Sequence, residues 1–375
     1  MYNILISLFI FISFFQITLI PTVFRFIPKK IKFILPLWHL FFTYIYYLQS
    51  LSGQIDVNYY FQRSLDPQQL NFFGSKFIFF LTSIFSQSLS FNFFNTFFIF
   101  SLFGYLGILF FATSLFYIQS YKKGKYNYLL VLIIVFFPSL HFWSSAIGKD
   151  SLMFLAVGLI IWSGVKLNLR KIWFLFSSVL ITLIRPHVGA LLFLSFYSNT
   201  LFKDSIKINK YLKLLIFLAP LLFFTFLPIV ISNYFNLPSL SISGFIDYLE
   251  IRTEFTQTGS LALDITSINP LMRPFIFLYG PVFLKGSSLF YLLIFIENVF
   301  LITLTIISFK NILNNNFRFK NIPNFLFFTF PILTLFLLSF SVGNVGIALR
   351  QKWMIIPFLY IYLINNIFAG KNRKI

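Results

Sequence analysis

Apolar runs recur from one end of the chain to the other, separated by shorter polar segments that hold most of its lysines and arginines. Because a bilayer-spanning helix needs about 20 consecutive apolar residues, this pattern predicts about eleven membrane-spanning helices. The predicted spans lie near residues 2–20, 33–51, 91–118, 127–145, 152–167, 172–184, 188–202, 213–232, 288–309, 324–342 and 353–369.

Two long segments, residues 52–90 and 233–287, interrupt the regular alternation and are rich in Gly, Pro, Ser and Asn. Each ends in a short apolar stretch, FIFFLTSIF and PFIFLYGPVFL, which is typical of a helix lying at the membrane interface. The pattern predicts an all-α, polytopic membrane bundle that forms one domain over residues 1–375. No internal repeat is evident, which argues against an inverted-repeat transporter.

The net charge of +20 follows the predicted topology. Lysines and arginines concentrate in cytoplasmic loops, and the basic clusters of this chain fall in alternate loops, so the N-terminus is predicted outside and the C-terminus inside. The chain is therefore expected to contact membrane lipid and no nucleic acid. Cysteine is absent, which excludes disulfides, thiolate metal sites and cysteine nucleophiles. The basic clusters are Arg25, Lys29, Lys30 and Lys32; Lys122, Lys123 and Lys125; Lys166, Arg170 and Lys171; Lys203, Lys207, Lys210 and Lys213; Lys310, Arg318 and Lys320; and Lys371, Arg373 and Lys374.

The nine acidic residues show the opposite bias. In this topology, Asp204 is cytoplasmic, Glu297 lies within a span, and the others face outward. Because acidic residues contribute little to the insertion topology, their bias points to chemistry or binding on the outer face. The outward acids are Asp56, Asp66, Asp150, Asp247, Glu250, Glu254 and Asp264.

Lys149 and Asp150 lie in the turn SAIGKDS between the predicted fourth and fifth spans. Here the lysine could bind a phosphate and the aspartate could bind sugar hydroxyls or a metal. The alternative is a helix start, capped by Asp150 or Ser151, from which Lys149 reaches lipid phosphate.

Arg185 and His187 lie between apolar runs of only about 13 residues, or about 20 Å of helix. Neither run crosses a core of about 30 Å alone, so both residues are expected below the outer surface, lining an enclosed cavity. Arginine is a planar fork that suits a pyrophosphate, and Pro186 opens the backbone beside it. The alternatives are a snorkelling Arg185 and a hydrogen-bonded core His187.

The stretch SGQIDVNYYFQRSLD opens the first long outer loop, and the spacing of Asp56, Tyr59 and Tyr60 puts the three on the same side of a helical turn. A carboxylate beside aromatic rings suits sugar binding and general-base catalysis, although Asp56 could equally be a helix cap in an ordinary polar loop.

Further arginines on the predicted outer side are candidates for substrate binding. Arg252 and Arg273 lie in the second long loop, as substrate contacts or ion-pair partners. Arg350 lies at the start of the last span, where it could instead anchor the helix at the interface together with Lys352 and Trp353. Glu297, inside a span, is expected to pair with a buried cation or to relay protons.

Three stretches, FFPSLHFWSSAIGKDSLMF, LIRPHVGALLFL and ALRQKWMIIPFLYIYL, together resemble bacterial membrane proteins of surface-polysaccharide assembly. That group includes O-antigen polymerases of the Wzy type and relatives of the GT-C glycosyltransferases. The resemblance implies a substrate linked to undecaprenyl phosphate or pyrophosphate, with chemistry on the outer face of the bacterial inner membrane. Further partners would be other polysaccharide-assembly proteins.

The two branches of the group imply different sites. In a GT-C enzyme, an acid of the first outer loop acts as base or holds a divalent cation, and Asp56 matches that position. In a Wzy-type polymerase, outer arginines act without a metal, which fits Arg185, Arg252, Arg273 and Arg350. We expect a polymerase, with a GT-C transferase of single sugars as the alternative and a lipid-linked-sugar transporter or flippase as the rival from another class.

Overall fold

In a computed structural model of the chain, the described residues are 2–52, 56–65, 73–121, 125–166, 169–202, 268–280, 289–314 and 326–370. They form helices, and no β-strand occurs in these ranges, so the all-α prediction is confirmed for this part of the chain. The helices are α1 (Tyr2–Thr18), α2 (Lys29–Ser50), α3 (Asp56–Arg63), α4 (Ser75–Ser83), α5 (Phe93–Tyr121), α6 (Lys125–Val135), α7 (Pro138–Trp143), α8 (Lys149–Val165), α9 (Lys171–Ile184), α10 (Pro186–Phe202), α11 (Arg273–Tyr279), α12 (Leu289–Asn314), α13 (Leu326–Ser341), α14 (Val345–Gln351) and α15 (Ile356–Gly370).

Within the described ranges, four helical segments are long and apolar enough to cross a membrane, or five if the broken pair α14–α15 counts as one span. The prediction of about eleven spans is therefore not confirmed. Several predicted spans correspond to shorter helices, such as the 14 residues of α9, which extend about 21 Å. The predicted span at 213–232 lies outside the described residues. The four segments are Lys29–Ser50, Phe93–Ser120, Tyr126–Trp143 and Leu292–Asn311.

The chain forms two compact units. The first contains residues 1–189, 285–318 and 356–375, and the second contains residues 190–284 and 319–355. The prediction of one membrane domain stays a prediction. Within the first unit, α8 packs against α5, α9 and α15, so that most of its residues are buried by protein.

Glycines bring α5 and the α7–α8 segment into direct backbone contact. A Cβ atom on Gly104 would lie 1.8 Å from the carbonyl oxygen of Ser144, and one on Gly107 would lie 2.4 Å from that of Phe154. A Cβ atom on Gly158 would in turn lie 2.2 Å from the carbonyl oxygen of Gly107. Small residues allow membrane helices to pack this closely, and here they fix the position of α8 along α5.

The order of contacts gives the directions of the helices in the first unit. Ser7 hydrogen-bonds Asn95 and Thr18 hydrogen-bonds Tyr105, so α1 and α5 run parallel. The pairs Gly107–Phe154 and Phe110–Trp162 show by the same reasoning that α8 runs parallel to α5. The pairs Tyr46–Phe97 and His39–Ser101 show that α2 runs antiparallel to α5.

These directions separate the charges of the first unit along its length. Asp150 lies in the first turn of α8, whereas Lys166 and Arg170 follow its last residue, and the 17 residues of the helix span about 25 Å. We call the end with Arg25, Lys166 and Arg170 the basic end. Asp56, Asp150 and Arg185, which the sequence predicts on the outer side, lie at the opposite end of this unit, which we call the site end.

Candidate functional site

The turn before α8 presents Asp150 to Arg185. Gly148, at φ 153° in a region that favours glycine, precedes the helix, and no side chain caps the first turn. Ser151 donates instead to the carbonyl oxygen of Gly148. Asp150 Oδ1 accepts from an Arg185 guanidinium nitrogen at 3.3 Å, forming an ion pair. A helix does start at this turn, as the alternative interpretation expected, but Gly148 and not Asp150 or Ser151 occupies its N-cap position.

Arg185 sits at the break between α9 and α10. Pro186 cannot continue α9, since its ring lacks an N–H and would clash with the preceding turn. Arg185 still donates its own N–H to Ile181, and its carbonyl accepts from Val188 and Gly189. Only 9% of the residue is exposed, so protein surrounds it. This burial argues against the alternative in which the side chain snorkels to the interface.

Tyr60 is influenced by the charges of Asp56, Asp150 and Arg185. It hydrogen-bonds Ser75, and its ring packs over Gly148. The pKa of Tyr60 is raised to about 12, chiefly by burial and also by the carboxylates of Asp150 and Asp56, whereas Ser75 and Arg185 oppose the rise. The Tyr60 hydroxyl thus remains neutral beside two carboxylates and a guanidinium.

The helix α4 ties this neighbourhood to the end of α9. Gly74, at φ 66°, precedes α4 and donates its N–H to the carbonyl oxygen of Leu183 at 2.7 Å. The helix α4 also packs against α3, which carries Asp56 and Tyr60. Backbone contacts therefore connect the elements that position Asp56, Tyr60 and Arg185.

Five predicted site residues lie on these elements of the first unit. Asp56 is exposed in the first turn of α3, and Lys149 is half-buried beside Asp150. His187 is half-buried in the first turn of α10, two residues after Arg185. The structure thus places Asp56, Lys149, Asp150, Arg185 and His187 at the site end.

Two further candidates, Arg273 and Arg350, belong to the second unit. Arg273 Nε donates to the carbonyl oxygen of Ile268 at 3.2 Å, and its guanidinium lies over the ring of Phe340. Arg350 is half-buried in the last turn of α14, which packs against α11. Arg252 lies outside the described residues.

The interpretation of Lys352 and Trp353 as interfacial anchors does not fit the structure. Lys352 exposes 1% and Trp353 exposes 5% of its surface, because both are enclosed by protein. An anchoring side chain would reach the lipid–water boundary.

Contacts between distant helices were not predicted. The Glu297 carboxylate accepts hydrogen bonds from the backbone N–H of Ser139, at 3.0 Å, and from the Ser139 hydroxyl, so it caps the start of α7. His39 and His141 are buried and contact each other. The only signal in the sequence is that these polar side chains occur in apolar runs, which does not identify their partners.

Among the described residues, no group of three or more His, Asp or Glu side chains is arranged to hold a metal ion. The divalent cation that a GT-C enzyme would use stays a prediction. No protein-family model, curated protein or solved structure matches this chain.

Proposed function

We propose that this chain is a membrane glycosyltransferase of surface-polysaccharide assembly, a Wzy-type polymerase of undecaprenyl-linked glycan on the outer face of the bacterial inner membrane. The observation that supports it most is the contact between Asp150 and the buried Arg185 at the site end. One carboxylate oxygen of Asp150 accepts a hydrogen bond from one guanidinium nitrogen of Arg185. The Nε atom of Arg185 has no hydrogen-bond partner among the described residues. Because buried N–H groups are normally bonded, a substrate anion is a suitable acceptor here.

In the proposed reaction, an acceptor hydroxyl attacks the anomeric carbon of the lipid-linked glycan. A glycosidic bond forms, the bond from that carbon to the pyrophosphate oxygen breaks, and lipid pyrophosphate leaves with the electron pair. The hydroxyl proton passes to a base of the protein.

The cations of the site act on the leaving pyrophosphate. Arg185 offers a planar pair of donors, and Lys149 adds a second positive charge from the start of α8. Both offset the negative charge that develops on the leaving oxygen. Asp150 positions Arg185 through the ion pair. Contributions from Arg252, Arg273 and Arg350 stay predictions.

Asp56 is the proposed base, since it is exposed at the site end and close to Tyr60. The neutral Tyr60 hydroxyl beside it can hydrogen-bond a sugar. His187 is the alternative base, and substitution of each residue separates the two.

The test is complementation of a deletion strain, followed by gel analysis of surface polysaccharide at matched protein level. Arg185→Lys keeps the charge but loses the planar fork, so we expect transfer to fall by about 10²-fold or more. Asp56→Asn should abolish transfer, because an amide of similar volume cannot accept the proton. Arg63→Lys is the matched control, because Arg63 is an exposed arginine of α3 that lies over the Tyr59 ring.

The product separates the alternatives. Loss of long chains with accumulation of single repeat units supports polymerisation, whereas loss of one sugar from the repeat unit would indicate a GT-C transferase. Repeat units held on the cytoplasmic side would indicate a flippase. Full-length polymer from both variants would overturn the catalytic assignment of Arg185 and Asp56.

A further inference from the structure

The basic end of the first unit brings three cations around aromatic side chains. Lys166 Nζ lies 4.7 Å from the ring centroid of Tyr117, which packs edge-to-face against Phe26 at 4.9 Å. The Arg25 guanidinium lies 4.8 Å from the centroid of Phe26. Cation–π contacts hold such charges without neutralising them.

Arg170 completes this cluster. Its guanidinium stacks 3.6 Å from the ring centroid of Trp162 and donates to the Trp162 carbonyl oxygen. Burial lowers the pKa of Arg170, Tyr117 opposes that effect, and the charge of Arg25 lowers the pKa further. Arg25 and Arg170 are thus close enough to repel each other.

No carboxylate within the described ranges balances these charges. Asp56 and Asp150 lie at the site end, and Glu297 bonds Ser139. The one ion pair found there joins Arg185 to Asp150. Like charges brought together raise the free energy unless an anion accompanies them. An anion bound at the basic end would therefore lower the electrostatic free energy of this cluster of cations.

The surface next to Arg170 is apolar. Leu169 is 80% exposed, Ile172 is 81% exposed and Trp173 is 50% exposed. Exposed apolar side chains beside an arginine can contact the acyl chains of a lipid whose headgroup lies against the arginine. Tryptophan is also enriched at the membrane–water boundary. A free phosphate ion would make no use of them.

We infer that Arg25, Lys166 and Arg170 bind the phosphate of an anionic phospholipid, whose acyl chains lie against Leu169, Ile172 and Trp173. This lipid site is separate from the site end and does not depend on the proposed transferase activity. The cytoplasmic leaflet, which the topology predicts at this end, is the one that supplies anionic headgroups.

The experiment titrates the purified full chain in neutral detergent with dioctanoyl phosphatidylglycerol and measures the rise in its unfolding temperature. Dioctanoyl phosphatidylcholine and inorganic phosphate are the parallel probes. Since two cations near an anionic headgroup contribute about thirtyfold in affinity, the variant Arg25→Gln/Lys166→Gln should lose about that factor for phosphatidylglycerol. Affinity for phosphatidylcholine should stay unchanged.

The matched control, Arg63→Gln/Lys76→Gln, removes two exposed cations from α3 and α4 and should keep the wild-type preference. Equal loss in this control would mean general attraction by net charge and would overturn the site. Binding of inorganic phosphate as tight as that of phosphatidylglycerol would overturn the lipid assignment. Arg25→Lys/Lys166→Arg keeps both charges, so loss of the preference there would also count against the proposal.

Discussion

His39 and His141 face each other inside the first unit, with their Nδ1 atoms 3.1 Å apart and both side chains fully buried. His141 Nε2 contacts the Val135 carbonyl, which only accepts, so that nitrogen carries the proton. His39 Nε2 lies 3.0 Å from the Ser101 hydroxyl and 3.2 Å from the Ser101 carbonyl oxygen. If both rings are neutral, the contact with His141 requires the proton of His39 on Nδ1, and Nε2 then accepts from the Ser101 hydroxyl.

Removing either histidine should destabilise the protein. His141→Phe leaves the Nδ1–H of His39 without its acceptor, at a cost of about 1–3 kcal/mol for a buried group. The double variant His39→Phe/His141→Phe should cost less than the sum of the two single variants, because the partners share one interaction. Unfolding temperature in detergent measures this. Leu37→Ala, at a position of α2 that is 58% exposed, is the control. Additive losses would contradict the pairing.

Glu297 is expected to act through its cap on α7. Glu297→Gln keeps an oxygen that can accept from Ser139, so we expect near wild-type polymer and a loss of about 1 kcal/mol. Glu297→Leu removes both acceptors and should cost more. Polymer yield and unfolding temperature are measured together. A well-expressed, stable Glu297→Gln protein without any activity would instead support the proton relay of a transporter.

Enlarging Gly107 should separate α5 from α8. A new Cβ atom would overlap the Phe154 carbonyl oxygen, so Gly107→Ala should destabilise by about 1–3 kcal/mol and Gly107→Leu by more. Yield of folded protein after detergent extraction is the measurement. Ser120→Leu, at the exposed end of the same helix, should extract normally. A stable Gly107→Leu variant would show that the helices are not in contact here.

Tyr60 should make stability fall at alkaline pH. Its pKa is about 12 in the folded protein and about 10 in an unfolded chain, so the folded state keeps a proton that the unfolded state loses. Stability is therefore lost as pH rises from 10 towards 12. Tyr60→Phe should reduce the difference in unfolding temperature between about pH 9 and about pH 11. Tyr59→Phe, on the exposed side of α3, is the control and should keep the wild-type difference.

The sequence indicated which polar residues were unusual but not which ones meet. Arg185 and Asp150 were candidates because charge among apolar runs is costly, yet they are 35 positions apart, and their contact depends on how α8 and α9 pack. His39 and His141 are 102 positions apart. The span count is not confirmed for a related reason, since hydropathy cannot tell an apolar helix that faces protein, such as α8, from one that faces lipid.

Gly104 has a consequence beyond packing. Because Gly104 has no side chain, the Ser144 carbonyl fits against it. Ser144 lies four residues before Gly148, the glycine that precedes Lys149 and Asp150. A larger residue at Gly104 would displace the turn at Gly148 from inside the bundle and move Asp150 away from Arg185 without altering any charge. A mutational survey restricted to ionisable residues would therefore overlook a position on which the geometry of the ion pair depends.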